Sequence, residues 1–133
     1  MPAPAEATYD VGSLIAAHTA FRDLIDSHAT LPGTIKCRAA SDVLLGTATL
    51  ADPCGTVNGS TGQLTFDVDP VLRDESADTG GDIAYVEICD GDGVVRLALP
   101  AQAGTTPVSG KAVFNTLTVA AGGPIEITSV TIG

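Results

Sequence analysis

Asp90-Gly91-Asp92-Gly93 places two carboxylates around a tight turn, an arrangement that offers the hard oxygen ligands a calcium ion takes. The rest of a calcium loop is missing, because no glutamate follows at the helix-loop-helix spacing and the flanks read as strands. The segment is therefore expected to be a polar hairpin turn, with a weak cation site as the alternative. Asp74, Glu75, Asp78 and Asp82 supply the residue type that hydrolytic enzymes use in pairs. No base partners them in the sequence and nothing argues for a raised pKa, so they are expected to face water or a partner. His18 and His28 stand ten positions apart, nearly three helical turns, too far along an axis to hold one ion together. Cys37, Cys54 and Cys89 lack the close pairing of a zinc site or redox dithiol. Their apolar, alternating surroundings, TIKCRA and YVEICD for two of them, suit buried free thiols, with one intramolecular disulfide as the alternative. Val108-Ser109-Gly110-Lys111-Ala112 contains a Gly-Lys pair without the remainder of a phosphate-cradling loop, and Asn58-Gly59-Ser60 is expected to be a turn. No nucleophile, base and oxyanion site can be assembled from these residues. The expectation is a non-enzymatic protein with no catalytic residue, metal or cofactor.

The elements that must position these groups follow from composition and periodicity. The chain has 133 residues, 44% of them hydrophobic, with no Trp, three Phe and two Tyr, which predicts one small domain with an aliphatic core. Sixteen acidic against six basic residues give a net charge of -10. That balance repels phosphate backbones and anionic lipid surfaces, and Lys36 with Arg38 is too small a basic cluster to reverse it. Neither a nucleic-acid nor a membrane partner is expected. There is no apolar run of about twenty residues and no basic leader, so a soluble, unprocessed chain is expected.

Residues 1–12 read as an extended arm, on the strength of the proline-containing MPAPAEATYD, and residues 13–133 as a single β-rich domain. Leu14, Ala17, His18, Phe21, Leu24, Ile25 and His28 share one helical face, predicting an amphipathic helix at about 14–28 with Ser13 as N-cap. Strands are expected over 34–39, 43–50, 63–68, 83–89, 94–99, 112–119 and 124–132, with 52–62 and the acidic 69–82 as loops. Leu64, Phe66 and Val68 should face the core, and the last strand is expected to be covered on both faces. The fold class is mainly β: an antiparallel β-sandwich or small barrel with one N-terminal amphipathic helix. Its strand edges need protection by the arm, the helix or another subunit, which makes self-association an expectation.

The order of segments resembles a family of small virion proteins of tailed bacteriophages. The resemblance runs through SLIAAHTAFRDLIDSHA, Gly33-Thr34-Ile35-Lys36, LLGTATLADP, SADTGGDIAYVEICDGDGVV and VFNTLTVAAGGPIEITSVTI, spanning roughly residues 13 to 133. The centre around Tyr85 is less aromatic than in that family, and the acidic balance and proline-rich arm are individual. The resemblance implies a capsid decoration or cement protein, made in the host cytoplasm and bound to the major capsid protein on the outer capsid surface. A tail-associated, baseplate or fibre role, or a small surface-binding β module, is the alternative. A trimer would suit threefold lattice positions. Partner contacts are expected from Tyr9 and Val11 in the arm and from Leu72, Arg73, Glu75 and Asp78 in the acidic loop.

Overall fold

The computed structural model describes residues 9–68, 72–74 and 77–133. One helix, α1 (Val11–Ile25), precedes β1 (Thr34–Arg38), β2 (Leu44–Thr49), β3 (Gly55–Val57), β4 (Leu64–Phe66) and β5 (Leu72–Asp74). Then come β6 (Gly81–Asp82), β7 (Tyr85–Cys89), β8 (Val95–Ala103), β9 (Lys111–Phe114), β10 (Thr118–Val119) and β11 (Ile125–Ile132). The main sheet runs β2-β1-β7-β8-β9-β11-β4-β3, and β5 adds to β11 beside β4. The fold is mainly β with a single N-terminal helix, its sheet curled as in a barrel. Among the described residues the strands pair antiparallel except β8 with β9, where a parallel register joins Ala101–Ala103 to Ala112–Phe114, and Ser109 adds an isolated parallel bridge to Thr131.

The helix starts and ends earlier than its apolar periodicity predicts. Asp10, not Ser13, is the N-cap: its carboxylate accepts the Ser13 N–H at 2.8 Å, which draws Val11 and Gly12 out of the expected arm into the first turn. At the other end the Asp26 N–H reaches back to the Arg22 and Leu24 carbonyls, and the Ser27 hydroxyl donates to Leu24 O at 2.7 Å. His28 therefore lies beyond the helix. Ile25 is fully buried and Phe21 packs partly against the core. Gly33 makes the approach possible, since a Cβ there would lie 2.6 Å from Ile25 Cγ2 and 2.7 Å from Cys89 O.

The core contains Ile35, Leu45, Leu64, Phe66, Val86, Ile88, Phe114, Ile127 and Val130, aliphatic apart from two phenylalanines. Leu64 and Phe66 are buried and Val68 packs at the margin, so the expected inward face is present. In β11 the register shifts between Ile127 and Ser129. The irregularity reverses the inward phase, from Ile125 and Ile127 to Val130 and Ile132. It explains a strand whose alternation was not clean. The other face is covered too: no residue of β11 is exposed, and the Thr131 hydroxyl donates to Val108 O at 3.2 Å.

Two stretches expected to be loops hold strands. Residues 52–62 contain β3, and 69–82 contain β5 and β6. In the second, the described residues knit the curled sheet together. Asp74 Oδ2 accepts Thr47 N–H at 2.9 Å, Asp78 N–H donates to Leu45 O at 2.8 Å, and Ala77 is bonded through its backbone to Gly122 and Gly123. The outer edge of β2 is thus protected by the chain's own acidic segment, where arm, helix or a second subunit had been expected. At the opposite end of the sheet, α1 lies against β3.

Candidate functional site

The expected partner-binding residues fall into two places. Tyr9, 74% exposed, and Val11, 42% exposed, flank the N-cap of α1. Asp10 between them is held below the usual carboxylate range by the bonds from Ser13. The first turns of the helix rest on the β3–β4 turn, where Gly62 has φ +76 and a Cβ would approach Leu14 Cβ to 2.6 Å. His18 fixes the same contact, its Nδ1 2.6 Å from Gly62 O. A carbonyl cannot donate, so Nδ1 carries the proton. Tyr9 and Val11 are consequently exposed apolar groups on an anchored element.

Leu72 and Arg73 belong to β5, where they pair with Ile127 and Glu126 of β11. The Arg73 guanidinium donates to the Glu126 carboxylate across that pair. Asp78 is exposed while its backbone caps β2. Glu75 lies outside the described residues. β5 joins β11 at Ile125–Ile127, whereas β4, next to the helix start, joins it at Thr131–Ile132. At about 3.4 Å per residue the two groups are separated by roughly 20 Å along β11. The structure does not bring them into one patch.

The groups with chemical potential are mostly committed. Asp90 is 3% exposed. Its Oδ1 accepts the Asp92 and Val94 N–H groups at 3.0 Å, and its Oδ2 accepts from the Arg96 guanidinium at 2.9 Å. Burial pushes its pKa up, but the N–H of Val94, the Arg96 guanidinium and the N–H of Asp92 outweigh it, and the net shift is downward. Asp90-Gly91-Asp92-Gly93 is the polar hairpin turn expected, with both Asp90 oxygens already occupied. All three cysteines are buried and unpaired. Burial pushes the Cys37 and Cys54 thiols up to about 12 and raises that of Cys89 as well, which keeps them in the weakly nucleophilic thiol form at neutral pH.

Two polar arrangements have no signal in the sequence. On the outer face of β1 and β7, Arg38 pairs with Glu87 and donates to Asp42 O at 3.0 Å, while Tyr85 donates its hydroxyl to Asp42 Oδ1 at 2.7 Å. That bond raises the Tyr85 pKa. Behind α1, Asp26 Oδ2 accepts the Cys54 N–H at 3.1 Å and Oδ1 is buried without a partner among the described residues. Burial is the main cause of its raised pKa. These residues meet only through tertiary folding, from positions 28 to 49 residues apart in the longest pairs.

An open cleft of about 410 Å³ is lined by Thr56, Thr65, Phe66, Asp67 and Val68. A smaller one of about 180 Å³ is bounded by Asn115, Thr116, Pro124 and Glu126. The outer edge of β8 is open along 95–100 among the described residues, with Val94 and Val95 exposed at its start. Ala101 donates to Ala84 O across β7, so alternation turns Pro100, which has no N–H, toward the open side. Proline there blunts the edge against strand addition. No protein-family model, curated protein or solved structure matches this chain.

Proposed function

We propose that the protein is a non-enzymatic structural component of a tailed-phage particle, binding the major capsid protein on the outer shell as a decoration or cement protein. The observation that carries this reading is the start of α1, where Tyr9 and Val11 present exposed apolar surface on a turn anchored by Asp10, Gly62 and His18. Neither side chain belongs to either of the two clefts described above, and exposed apolar groups of this kind suit contact with a broad protein surface better than enclosure of a small ligand. The order of segments in the sequence supports the choice of partner. A protein that binds only the assembled shell stabilises it by mass action. Self-association, as a trimer at threefold positions, fits the same role.

The test is co-sedimentation of the purified chain with empty shells of the phage whose particles contain it. The wild-type protein is expected to pellet with the shells. A Tyr9→Ser, Val11→Ser double variant should keep its circular dichroism and lose about tenfold or more in affinity, about 1.4 kcal/mol. Binding to isolated tails and not to shells would replace the capsid assignment with the tail-associated one. Undiminished affinity of the double variant would remove the helix start from the interface.

A further inference from the structure

The two histidines use the same ring nitrogen in opposite ways. His18 Nδ1 donates to a carbonyl, whereas His28 Nδ1 receives two backbone donors, the N–H of Thr30 at 3.0 Å and the N–H of Leu31 at 2.9 Å. Both donors require a lone pair, so the His28 ring is neutral with its proton on Nε2. That nitrogen faces Asp92 Oδ1 at 3.5 Å, on the β7–β8 turn. The imidazole thus folds the segment after α1 back on itself and sets it against the turn. Contact there is close: a Cβ on Gly91 would lie 2.3 Å from Leu31 O and 2.4 Å from His28 Cβ.

We propose that His28 is an acid-sensitive latch, and that protonation of its Nδ1 releases Thr30 and Leu31 from the ring and loosens the 28–31 segment on the β7–β8 turn. An imidazolium has no lone pair, so both accepted bonds are lost together. The charged groups around it do not restore them. Asp92 is the carboxylate facing the ring, but its side chain is 70% exposed and already faces Nε2–H in the neutral form. Asp90, in the same turn, is held by Arg96 and two backbone donors. On the histidine's own segment Asp26 is turned to Cys54 N–H. Leu31, 54% exposed, is the side chain whose position the latch controls. His18 is the internal contrast, since protonation at its Nε2 leaves the bond to Gly62 O in place.

Nuclear magnetic resonance of the full chain between about pH 8 and about pH 5, the interval in which histidine ordinarily changes charge, tests this. The Thr30 and Leu31 amide protons should move upfield on acidification and follow the same midpoint as the His28 ring. His28→Asn supplies an oxygen that accepts both bonds without titrating, so the two amides should then stay in place across the interval. The latch is overturned if the ring titrates while the amides stay still, if it remains neutral throughout, or if the amides move equally in His28→Asn.

Discussion

The β7–β8 turn and the segment around β5 are both acidic connections between strands, and in both an aspartate accepts backbone N–H groups. They differ in reach. Asp90 serves Asp92, Val94 and Arg96, all within six residues of it. Asp74 serves Thr47, twenty-seven residues away, and the neighbouring Asp78 N–H caps Leu45 O. The first arrangement shapes a turn; the second holds two distant parts of a curled sheet together. Acidic composition by itself thus does not separate a solvated loop from a seam, because a carboxylate can satisfy backbone donors in either.

The largest blow to the seam should come from Leu45→Ala. This side chain is fully buried in the core, and its carbonyl is the one capped by Asp78. A loss of about 2–5 kcal/mol is expected, read as a lower urea midpoint at unchanged slope. On the turn side, Gly91→Ala drives a methyl against Leu31 O and His28 Cβ. It should cost about 1–3 kcal/mol, with amide exchange rising first in 28–31. If exchange rises equally across β2, the two regions are not energetically separate.

Asp74→Ala removes the acceptor for Thr47 N–H and should cost about 1–2 kcal/mol, with faster exchange of that amide. Asp74→Asn keeps an acceptor and should recover most of the loss. Equal damage from both would mean that the charge of Asp74, rather than its bond to Thr47, holds the seam. The mildest probe is acid titration of the turn. The Asp90 pKa is depressed in the fold, so its contribution is present above the ordinary carboxylate value and is lost as pH falls through the depressed one. Tm should fall on that acid limb in the wild type, and Asp90→Asn should flatten it.

The same difference in reach marks what was legible. The β7–β8 hairpin, the aliphatic core, the burial of the thiols and the inward set Leu64, Phe66 and Val68 rest on alternation and turn residues close together in the chain. The helix was legible but displaced by about a turn. Its apolar periodicity continues to His28, whereas its limits are set by polar capping at Asp10, Asp26 and Ser27. The strands β3, β5 and β6 were hidden, because runs of two or three residues carry too little periodicity and here lie among glycine, proline and acidic residues. Among the expected contact residues, the exposure of Tyr9 and Val11 could be anticipated from the aperiodic, proline-containing stretch that leads into the helix. Their separation from Arg73 and Asp78 depends on where β4 and β5 join β11.

The sequence by itself determined a mainly β domain with one amphipathic helix, an apolar core with few aromatics and a strongly acidic character, since each follows from composition or from contacts within a few residues. Only the tertiary structure decided that the acidic segment seals β2, that an irregularity in β11 exchanges its inward and outward faces, and that the two histidines hold opposite tautomers. Those outcomes depend on which distant backbone groups meet a given side chain, and hydrogen-bond partners many residues apart leave no periodic trace in the chain.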